Sequence, residues 1–434
     1  MFFERPEGGN RAILISQVID SFDDQPDNEE FELLVDAADF EQLAHIKGHR
    51  RSPSPRYFIG DGKLEELKSA IEAFEAGVVI FNHTLSPSQE RNLEKALNCF
   101  VLDRTGLILD IFSQRAQTYE GRLQVELAQC QHMITRLVRG WTHLERQQGG
   151  TGTRGGPGET QLELDKRMLR AHIRQVEKRL AKVRASRAQN RRARQRAEKP
   201  VISLVGYTNA GKSSLFNAIS GADVLEKNML FATLDTTLRK VLIDRLGEVL
   251  FADTVGFVKQ LPHKLVDAFR ATLEESIYAD LLLHVIDASD PHRDEKMDAV
   301  DTVLGDIHAD HVPQLRIYNK IDQLEGVEPR LERDDRGQPS AVWMSAKTGA
   351  GVELLKLAIF ECLQKDTQQT TLVLPPEYAA CRSELFSKGC VQSEEISELG
   401  EYILAVQVST PFLNQLKAHY PKIQLVNSSS NACT

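Results

Sequence analysis

The chain has 434 residues, a length at which about three domains are expected. It carries 53 basic and 62 acidic side chains, and the net charge of −9 argues against a uniformly basic nucleic-acid-binding protein. No two of the six cysteines have the C-x-x-C spacing of a metal or redox pair, which favours reduced thiols. There is no signal-peptide pattern, and no apolar run approaches the length of a membrane span, so a soluble cytoplasmic protein without a transmembrane segment is expected.

The first 108 residues are predicted to form a small α/β domain with a parallel sheet. Short apolar runs at 12–15 and 77–81 have the composition of buried parallel strands. Apolar residues at helical spacing lie between and after them, at 63–71 and 88–97. Strands that alternate with helices in this way are typical of the α/β class.

Residues 109–198 are predicted to form a long antiparallel helical hairpin. Apolar side chains spaced alternately four and three residues apart give one heptad seam over 123–144 and a second over 169–183. The loop at 149–158 holds six glycines and a proline, a density that no helix tolerates. Two seams joined by a short loop are most simply buried against each other, so the glycine-rich loop is placed at the tip.

The second arm of the hairpin carries a charge that the overall balance hides. Residues 164–199 hold 14 basic and three acidic side chains, a local net charge of +11, which leaves −20 for the remainder. A solvated helix face is the simplest interpretation of a charged helix. Here the excess is one-sided and ends in four arginines within residues 191–196, which favours a polyanionic partner.

From residue 199 the pattern changes to that of a doubly wound α/β domain, with apolar runs at 201–205, 249–252, 281–286 and 315–318. The last block has a linker-like start at 368–371, one helix candidate and a strand at 402–408. The predicted fold is therefore α/β, with an N-terminal α/β domain at 1–108, a helical hairpin at 109–198, a P-loop GTPase domain at 199–366 and a small C-terminal α+β domain at 367–434.

A phosphate-binding motif, G-x-x-x-x-G-K-[ST], follows the first apolar run of this domain directly. Its glycines let backbone N–H groups turn toward phosphates at the start of the next helix. Lys212 is expected to reach the β- and γ-phosphates, and Ser213 to hold Mg²⁺. The residues assigned to the nucleotide here are Gly206, Tyr207, Thr208, Asn209, Ala210, Gly211, Lys212 and Ser213.

A D-x-x-G motif follows the next apolar run. Asp253 at a strand end can hold the metal through water, and the Gly256 N–H can contact the γ-phosphate. The motif consists of Asp253, Thr254, Val255 and Gly256.

Two further motifs point to guanine. The Asp322 carboxylate can accept from guanine N1–H and its amine, a donor pair that adenine lacks. Asn319 would brace the loops, and a backbone N–H in the last motif would meet the guanine oxygen. The residues are Asn319, Lys320, Ile321 and Asp322, with Ser345, Ala346 and Lys347.

The motifs do not by themselves identify the threonine that binds Mg²⁺ or the group that orients the attacking water. Thr233, Thr236 and Thr237 are all candidates for the switch threonine that binds Mg²⁺. Phe257 follows Gly256, where many GTPases carry the glutamine that orients the attacking water. Since phenylalanine cannot bind water, slow intrinsic hydrolysis that a partner accelerates is expected.

The chain resembles the HflX family of ribosome-associated GTPases, in the Obg-HflX-like group. The resemblance covers nearly the whole chain and rests on the GTPase motifs, the paired helices and the segments 57–63, 103–112, 124–129, 158–163 and 231–235. It implies that Thr233 is the switch threonine, with Lys212 and Gly256 as the other catalytic residues. It adds to the GTP site Phe231, Ala232, Thr233, Leu234 and Asp235. Thr236 stands where the family often has proline.

The resemblance also implies a partner. HflX-like proteins bind the large ribosomal subunit as GTPases that promote splitting of stalled ribosomes under stress, and the hairpin loop approaches the peptidyl-transferase region. A ribosome-stimulated GTPase that acts as a monomer with Mg²⁺ is therefore expected. The implied RNA contacts are Arg154, Gly155, Gly156, Arg191, Arg192, Arg194 and Arg196.

Three alternatives stay open on the sequence. The first is a ribosome assembly factor, the second a GTP-dependent switch acting on a protein partner, and the third an RNA-remodelling NTPase with a second ATP site. Residues 60–63, Gly-Asp-Gly-Lys, could be a second phosphate loop, although a plain turn before the helix is favoured because the pattern is short.

Overall fold

The computed structural model of the protein describes residues 10–22, 25, 27–137, 161–196, 199–221, 230–231, 237–243, 246–258, 275–363, 367–387, 390–397, 400–409, 413, 416–417, 419–420 and 423–426. Within these ranges, no helix is both long enough and apolar enough to cross a membrane.

Four parallel strands and four helices form the N-terminal domain. The strands are β1 (Arg11–Ile19), β2 (Glu41–Arg50), β3 (Val78–Phe81) and β4 (Phe100–Leu102), and the helices are α1 (Asn28–Ala37), α2 (Asp61–Phe74), α3 (Pro87–Leu97) and α4 (Arg104–Arg115). The sheet order is β2-β1-β3-β4. Ala12 and Leu14 of β1 pack against α1 and α4, whereas Ile13 and Ile15 pack against α2 and α3. Because both faces are covered, the central strands are continuous apolar runs.

The sequence predicted both central strands and the helices α2 and α3, and these predictions are confirmed. It missed β2, which lies at the sheet edge, mixes polar with apolar residues and has one buried position, Ile46. Gly60 is the N-cap of α2 and Asp61 its first residue, so residues 60–63 are the start of a helix.

The predicted hairpin is present as α5 (Tyr119–Leu137) and α6 (Gln161–Arg196). Leu123 and Leu127 of α5 form an apolar cluster with Val176 and Leu180 of α6, as the heptad seams predict. The predicted tip at 149–158 lies outside the described residues.

Two polar contacts fix the direction of the two arms. His172 contacts the Glu126 carboxylate at 2.6 Å, and fifteen residues further along α6, Arg187 pairs with Glu120 at 2.6 Å. The later residue of α6 contacts the earlier residue of α5, so the two helices run antiparallel.

A seven-stranded sheet forms the centre of the GTPase domain. Its strands are β5 (Val201–Gly206), β6 (Thr237–Ile243), β7 (Gly247–Asp253), β8 (Leu281–Asp287), β9 (Gln314–Asn319), β10 (Arg330–Arg333) and β11 (Pro339–Trp343). The helices described along their length include α7 (Lys212–Ser220), α8 (Arg293–Asp306) and α9 (Val352–Leu363). The order is β10-β11-β9-β8-β5-β7-β6, and only the edge strands β10 and β6 pair antiparallel. The four predicted apolar runs are β5, β7, β8 and β9, so the doubly wound fold is confirmed.

In the described residues of the C-terminal part, a helix accompanies a four-stranded antiparallel sheet. Its strands are β12 (Thr367–Leu374), β13 (Val391–Ile396), β14 (Tyr402–Ser409) and β15 (Gln424–Val426), and its helix is α10 (Ala379–Ser387). The linker predicted at 368–371 is wrong, since these residues lie in β12 and pair with β14 along its length. The polar composition suggested a linker, but β-branched threonines also suit a strand, and Leu372 and Leu374 bury their side chains.

The hairpin seam provides the first testable prediction. Leu180→Ala removes a buried side chain from the contact between α5 and α6, and should destabilise the hairpin by about 2–4 kcal/mol. Hydrogen exchange of α5 and α6 peptides, followed by mass spectrometry, measures this loss. Met168→Ala on the same helix is the control, since Met168 is 62% exposed. Equal exchange in the two variants would contradict the seam.

Candidate GTP-binding site

The loops that carry the predicted motifs meet at one edge of the seven-stranded sheet. They follow β5, β7, β9 and β11, which run parallel in this sheet. The carboxyl ends of parallel strands lie at the same edge, where open α/β sheets bind their ligands. Motifs that are separated by up to 140 residues in sequence are thereby brought together.

Two glycines of the phosphate loop are required by its close packing. Gly206 has a φ of 146°, and a Cβ there would overlap the carbonyl oxygen of Val285 on β8. Gly211 has a φ of 92°, and a Cβ there would overlap the side-chain amide of Asn319. Both conformations are open to glycine and strained for other residues. The motif glycines therefore let the loop approach β8 and the guanine motif.

Lys212 lies at the centre of the loop and is buried. Its Nζ donates to the carbonyl oxygens of Gly206 at 3.0 Å and Tyr207 at 2.7 Å. Burial lowers the pKa of Lys212 to about 8, against a smaller opposing effect of the Asp253 carboxylate. A lysine held by neutral carbonyls and one nearby carboxylate is placed to exchange those carbonyls for phosphate oxygens.

The two residues predicted to hold the metal from this part of the site are in contact. The Ser213 hydroxyl donates to Asp253 Oδ2 at 3.2 Å, and Asp253 is buried at the end of β7. Hydroxyl and carboxylate oxygens are the ligand types that Mg²⁺ prefers. The third predicted ligand, Thr233, lies outside the described residues.

The guanine motifs form one hydrogen-bonded unit with the phosphate loop. Asn319 Nδ2 donates to the Ala210 carbonyl at 2.9 Å, and Asn319 Oδ1 accepts from the Ala346 N–H at 2.9 Å. The Ser345 hydroxyl donates to Asp322 Oδ1 at 2.5 Å, which orients the carboxylate. Asn319 thus braces three loops, as the sequence predicts, and Asp322 lies beside Ser345.

Phe257 anchors the loop that follows β7 and carries the D-x-x-G motif. Its side chain is 2% exposed and belongs to an apolar cluster that includes residues of both the N-terminal and the GTPase domains. Its backbone pairs with the phosphate loop, since the Phe257 N–H donates to Gly206 O at 3.2 Å and Phe257 O accepts from Thr208 N–H at 2.7 Å. The ring thus lies in the apolar core and carries no group that could bind water.

The segment around the predicted switch threonine Thr233 is described only at its start: the structure describes Phe231 and does not describe residues 232–236. Phe231 is buried, and its ring packs edge-on against Phe112 of α4 at a centroid distance of 4.6 Å. The segment that holds the predicted metal ligand Thr233 therefore begins at a contact with the N-terminal domain. The predicted roles of Ala232, Thr233, Leu234 and Asp235 stay predictions.

Two residues beside the site lie outside the predicted motifs. Asp287 at the end of β8 pairs with Lys320 of the guanine motif at 2.7 Å. Its position at a strand end in the sequence was a signal that could have found it. Glu30 of α1 accepts a hydrogen bond from the Tyr207 hydroxyl in the phosphate loop. No pattern in the sequence connects residues so far apart.

Family models match three consecutive parts of the chain. They are described as GTP-binding GTPase N-terminal over residues 25–113, GTP-binding GTPase Middle Region over residues 115–194, and 50S ribosome-binding GTPase over residues 201–320.

Individual proteins match over most of the chain. The chain is 52% identical over 406 residues to GTPase HflX of Escherichia coli (strain K12). The aligned region covers 94% of this chain and 95% of that protein. It is 44% identical over 390 residues to GTPase HflX of Caldanaerobacter subterraneus subsp. tengcongensis. That aligned region covers 90% of this chain and 89% of the relative. The crystal structure of a GTP-binding protein from Sulfolobus solfataricus in complex with GDP matches 82% of this chain and 99% of its own, with 24% identity and a TM-score of 0.44.

The fold and the site define a P-loop GTPase, with a phosphate loop and guanine motifs at the carboxyl edge of a doubly wound sheet. Identity of 52% over nearly the full length of a curated relative shows the family as well. The chain belongs to the HflX family of GTPases, and the resemblance read from the sequence is confirmed. It binds and hydrolyses GTP.

The buried lysine predicts a pH dependence of nucleotide binding. The charged form of Lys212 is expected to bind phosphate, and its pKa of about 8 means that the charge is present below pH 8 and lost above it. Raising the pH from 7 to 9 should therefore weaken GDP binding by about tenfold. Calorimetric titration of the wild type and Lys212→Arg checks this, since arginine stays charged and guanine titrates equally in both. The same pH slope in both proteins would contradict the role of Lys212.

The guanine motif predicts a change of base specificity. Asp322→Asn replaces one acceptor oxygen by a donor, so GTP should lose affinity relative to xanthosine triphosphate by about 10²-fold or more. Competition binding with the two nucleotides measures the ratio. Asp298→Asn, an exposed position on α8, is the matched control. An unchanged preference would remove Asp322 from guanine recognition.

Proposed function

We propose that this protein binds the large ribosomal subunit and uses GTP to promote the splitting of stalled ribosomes under stress. The observation that carries the proposal is the basic helix α6 on the hairpin. At about 1.5 Å per residue, its 36 residues extend roughly 54 Å. Val176 and Leu180 of this helix are buried against α5.

The charge of α6 is accessible to a partner. Its exposed basic side chains include Arg170, Arg174, Lys178, Arg179, Lys182 and Arg184. Ribosomal RNA presents a dense array of phosphates, and contacts of lysine and arginine with phosphate dominate the affinity of such complexes. A cationic helix on a protein whose remaining charge is −20 therefore favours RNA over an acidic protein surface.

The comparisons support the ribosome as the source of this RNA. The model matched by residues 201–320 is described as a 50S ribosome-binding GTPase, and the match to GTPase HflX of Escherichia coli covers 94% of this chain. We assign the loop at 149–158, with Arg154, Gly155 and Gly156, to the peptidyl-transferase region. Arg191, Arg192, Arg194 and Arg196 at the end of α6 are assigned to RNA backbone. The protein would act as a monomer in the cytoplasm.

Magnesium is proposed as the cofactor of hydrolysis. The contact between the Ser213 hydroxyl and the buried Asp253 carboxylate fits such an ion, with Thr233 as a further ligand. Bound there, Mg²⁺ would neutralise charge on the β- and γ-phosphates. Lys212 and the Gly256 N–H supply the protein's own contacts to the γ-phosphate.

The ribosome is proposed to stimulate hydrolysis. Phe257 buries its ring and offers no hydrogen bond to water, so intrinsic turnover should be slow. A partner that supplies the group that places the attacking water would raise the rate.

Sedimentation with ribosomes tests the proposal. In a sucrose gradient with a non-hydrolysable GTP analogue, the protein should migrate with the large subunit, and added 70S ribosomes should dissociate when GTP is present. Binding should weaken steeply between 50 and 200 mM salt. Failure to bind in any nucleotide state would overturn the proposal, and binding without dissociation of 70S ribosomes would point to an assembly role.

A charge-matched pair of variants isolates the hairpin. Arg170→Gln with Arg174→Gln removes two exposed charges of α6, and should make the slope of log affinity against log salt shallower by about one per lost phosphate contact. Lys95→Gln with Arg336→Gln removes the same charge from exposed positions outside the hairpin. Equal effects of both pairs would contradict a hairpin contact with RNA.

A further inference from the structure

Hydrolysis of GTP requires a group that places the attacking water, and the residue after Gly256 cannot do so. The backbone of Phe257 is fixed by two hydrogen bonds: its N–H donates to the Gly206 carbonyl, and its carbonyl accepts from the Thr208 N–H. Its ring is 2% exposed and packs in the apolar core. Within the described residues, the water-placing group must therefore come from another part of the site.

The backbone pairing of Phe257 brings Thr208 against Gly256. A Cβ built on Gly256 would lie 2.7 Å from Thr208 Cγ2 and 3.0 Å from Lys212 Nζ. The Thr208 methyl Cγ2, the Gly256 backbone and the Lys212 ammonium thus border one small space, and rotation about χ1 of Thr208 would exchange the methyl for the hydroxyl. Lys212 and the glycine N–H are the groups that P-loop GTPases direct at the γ-phosphate. Thr208 is therefore next to the position of that phosphate.

The hydroxyl of Thr208 is buried and available. Thr208 is 7% exposed, and its Oγ1 has no hydrogen-bond partner in the part of the chain that the structure describes. Buried hydroxyls without a partner are uncommon in folded proteins. A threonine hydroxyl can donate one hydrogen bond and accept others at the same time, which is what bridging a water and a phosphate oxygen requires.

A second buried polar atom lies in the same region. Thr208 lines a cavity of about 190 Å³ between the phosphate loop, α1 and α8, and so does His284 of β8. His284 Nδ1 also lacks a hydrogen-bond partner among the described residues. Burial lowers the pKa of His284 to about 4, so the imidazole is neutral at physiological pH. The cavity, which Lys212 and Gly256 do not line, therefore has polar groups in its wall and can hold water against Thr208.

We propose that Thr208 is a catalytic residue, whose hydroxyl accepts a hydrogen bond from the attacking water and donates one to a γ-phosphate oxygen. The water oxygen forms a bond to the γ-phosphorus while the bond to the bridging β–γ oxygen breaks. The water proton passes to a γ-phosphate oxygen, which gives GDP and inorganic phosphate. Thr208 starts and ends as a neutral hydroxyl. The proposal concerns hydrolysis itself and does not depend on ribosome binding.

Thr208→Val tests the hydroxyl because valine keeps the size and branching of the side chain. Single-turnover hydrolysis without ribosomes should slow by about 10²-fold, the usual loss when one such hydrogen-bonding group is removed. The dissociation constant of GDP should stay unchanged, and that of a non-hydrolysable GTP analogue should rise by no more than about tenfold, the cost of one lost hydrogen bond to the γ-phosphate. Thr302→Val is the control for the same substitution at an exposed position of α8.

Thr208→Ser and Thr208→Ala form a second pair, which serves if the valine variant does not fold. Serine keeps the hydroxyl and should retain most of the single-turnover rate, whereas alanine should lose it. Equal rates of valine and wild type, or equal losses in serine and alanine, would overturn the proposal. A parallel loss of nucleotide affinity and rate would also overturn it, by showing a binding role. Ribosome sedimentation of the same variants separates these outcomes from a failure of the ribosomal function.

Discussion

The backbone pairing between Phe257 and the phosphate loop is the contact on which the GTPase site depends. Two hydrogen bonds, from Thr208 N–H to Phe257 O and from Phe257 N–H to Gly206 O, join the loop after β5 to the loop after β7. They bring Gly256 so close to Thr208 that a Cβ on Gly256 would lie 3.0 Å from the Thr208 backbone. A side chain at 256 would push the two loops apart, and Lys212 would then lose its place between them.

The same phosphate loop is where the N-terminal domain contacts the GTPase domain. The Tyr207 hydroxyl donates to the Glu30 carboxylate, which also pairs with Arg104, and Arg104 Nη1 donates to Asn82 Oδ1 at 2.7 Å. Taking an ion pair out of water is costly unless further hydrogen bonds satisfy both partners. Tyr207 and Asn82 supply those bonds. Loss of one partner would leave a buried charge, so this contact favours one placement of α1 on the phosphate loop.

The parts of this architecture that repeat or follow a motif could be predicted from the sequence. The hairpin was visible because its seam recurs every seven residues, and the site because each motif follows a buried strand. The contact between Glu30 and Tyr207 could not be predicted, since it joins residues 177 positions apart with no periodic signal. The linker prediction for residues 368–371 is wrong because composition alone cannot show that β14 pairs with them. Contacts between residues that are distant in sequence decide both features, and the local sequence carries no signal of such contacts.

Phe257 shows why packing and catalysis place opposite demands on one position. Burying a phenylalanine ring contributes about 1.5–3 kcal/mol to the core between the domains. A glutamine there could bind water, but its amide would be buried among apolar groups at a cost of about 1–3 kcal/mol unless it found partners. One side chain cannot both fill the interdomain core and face the γ-phosphate. With phenylalanine at this position, water placement must come from a group that already borders the phosphate or from the bound partner.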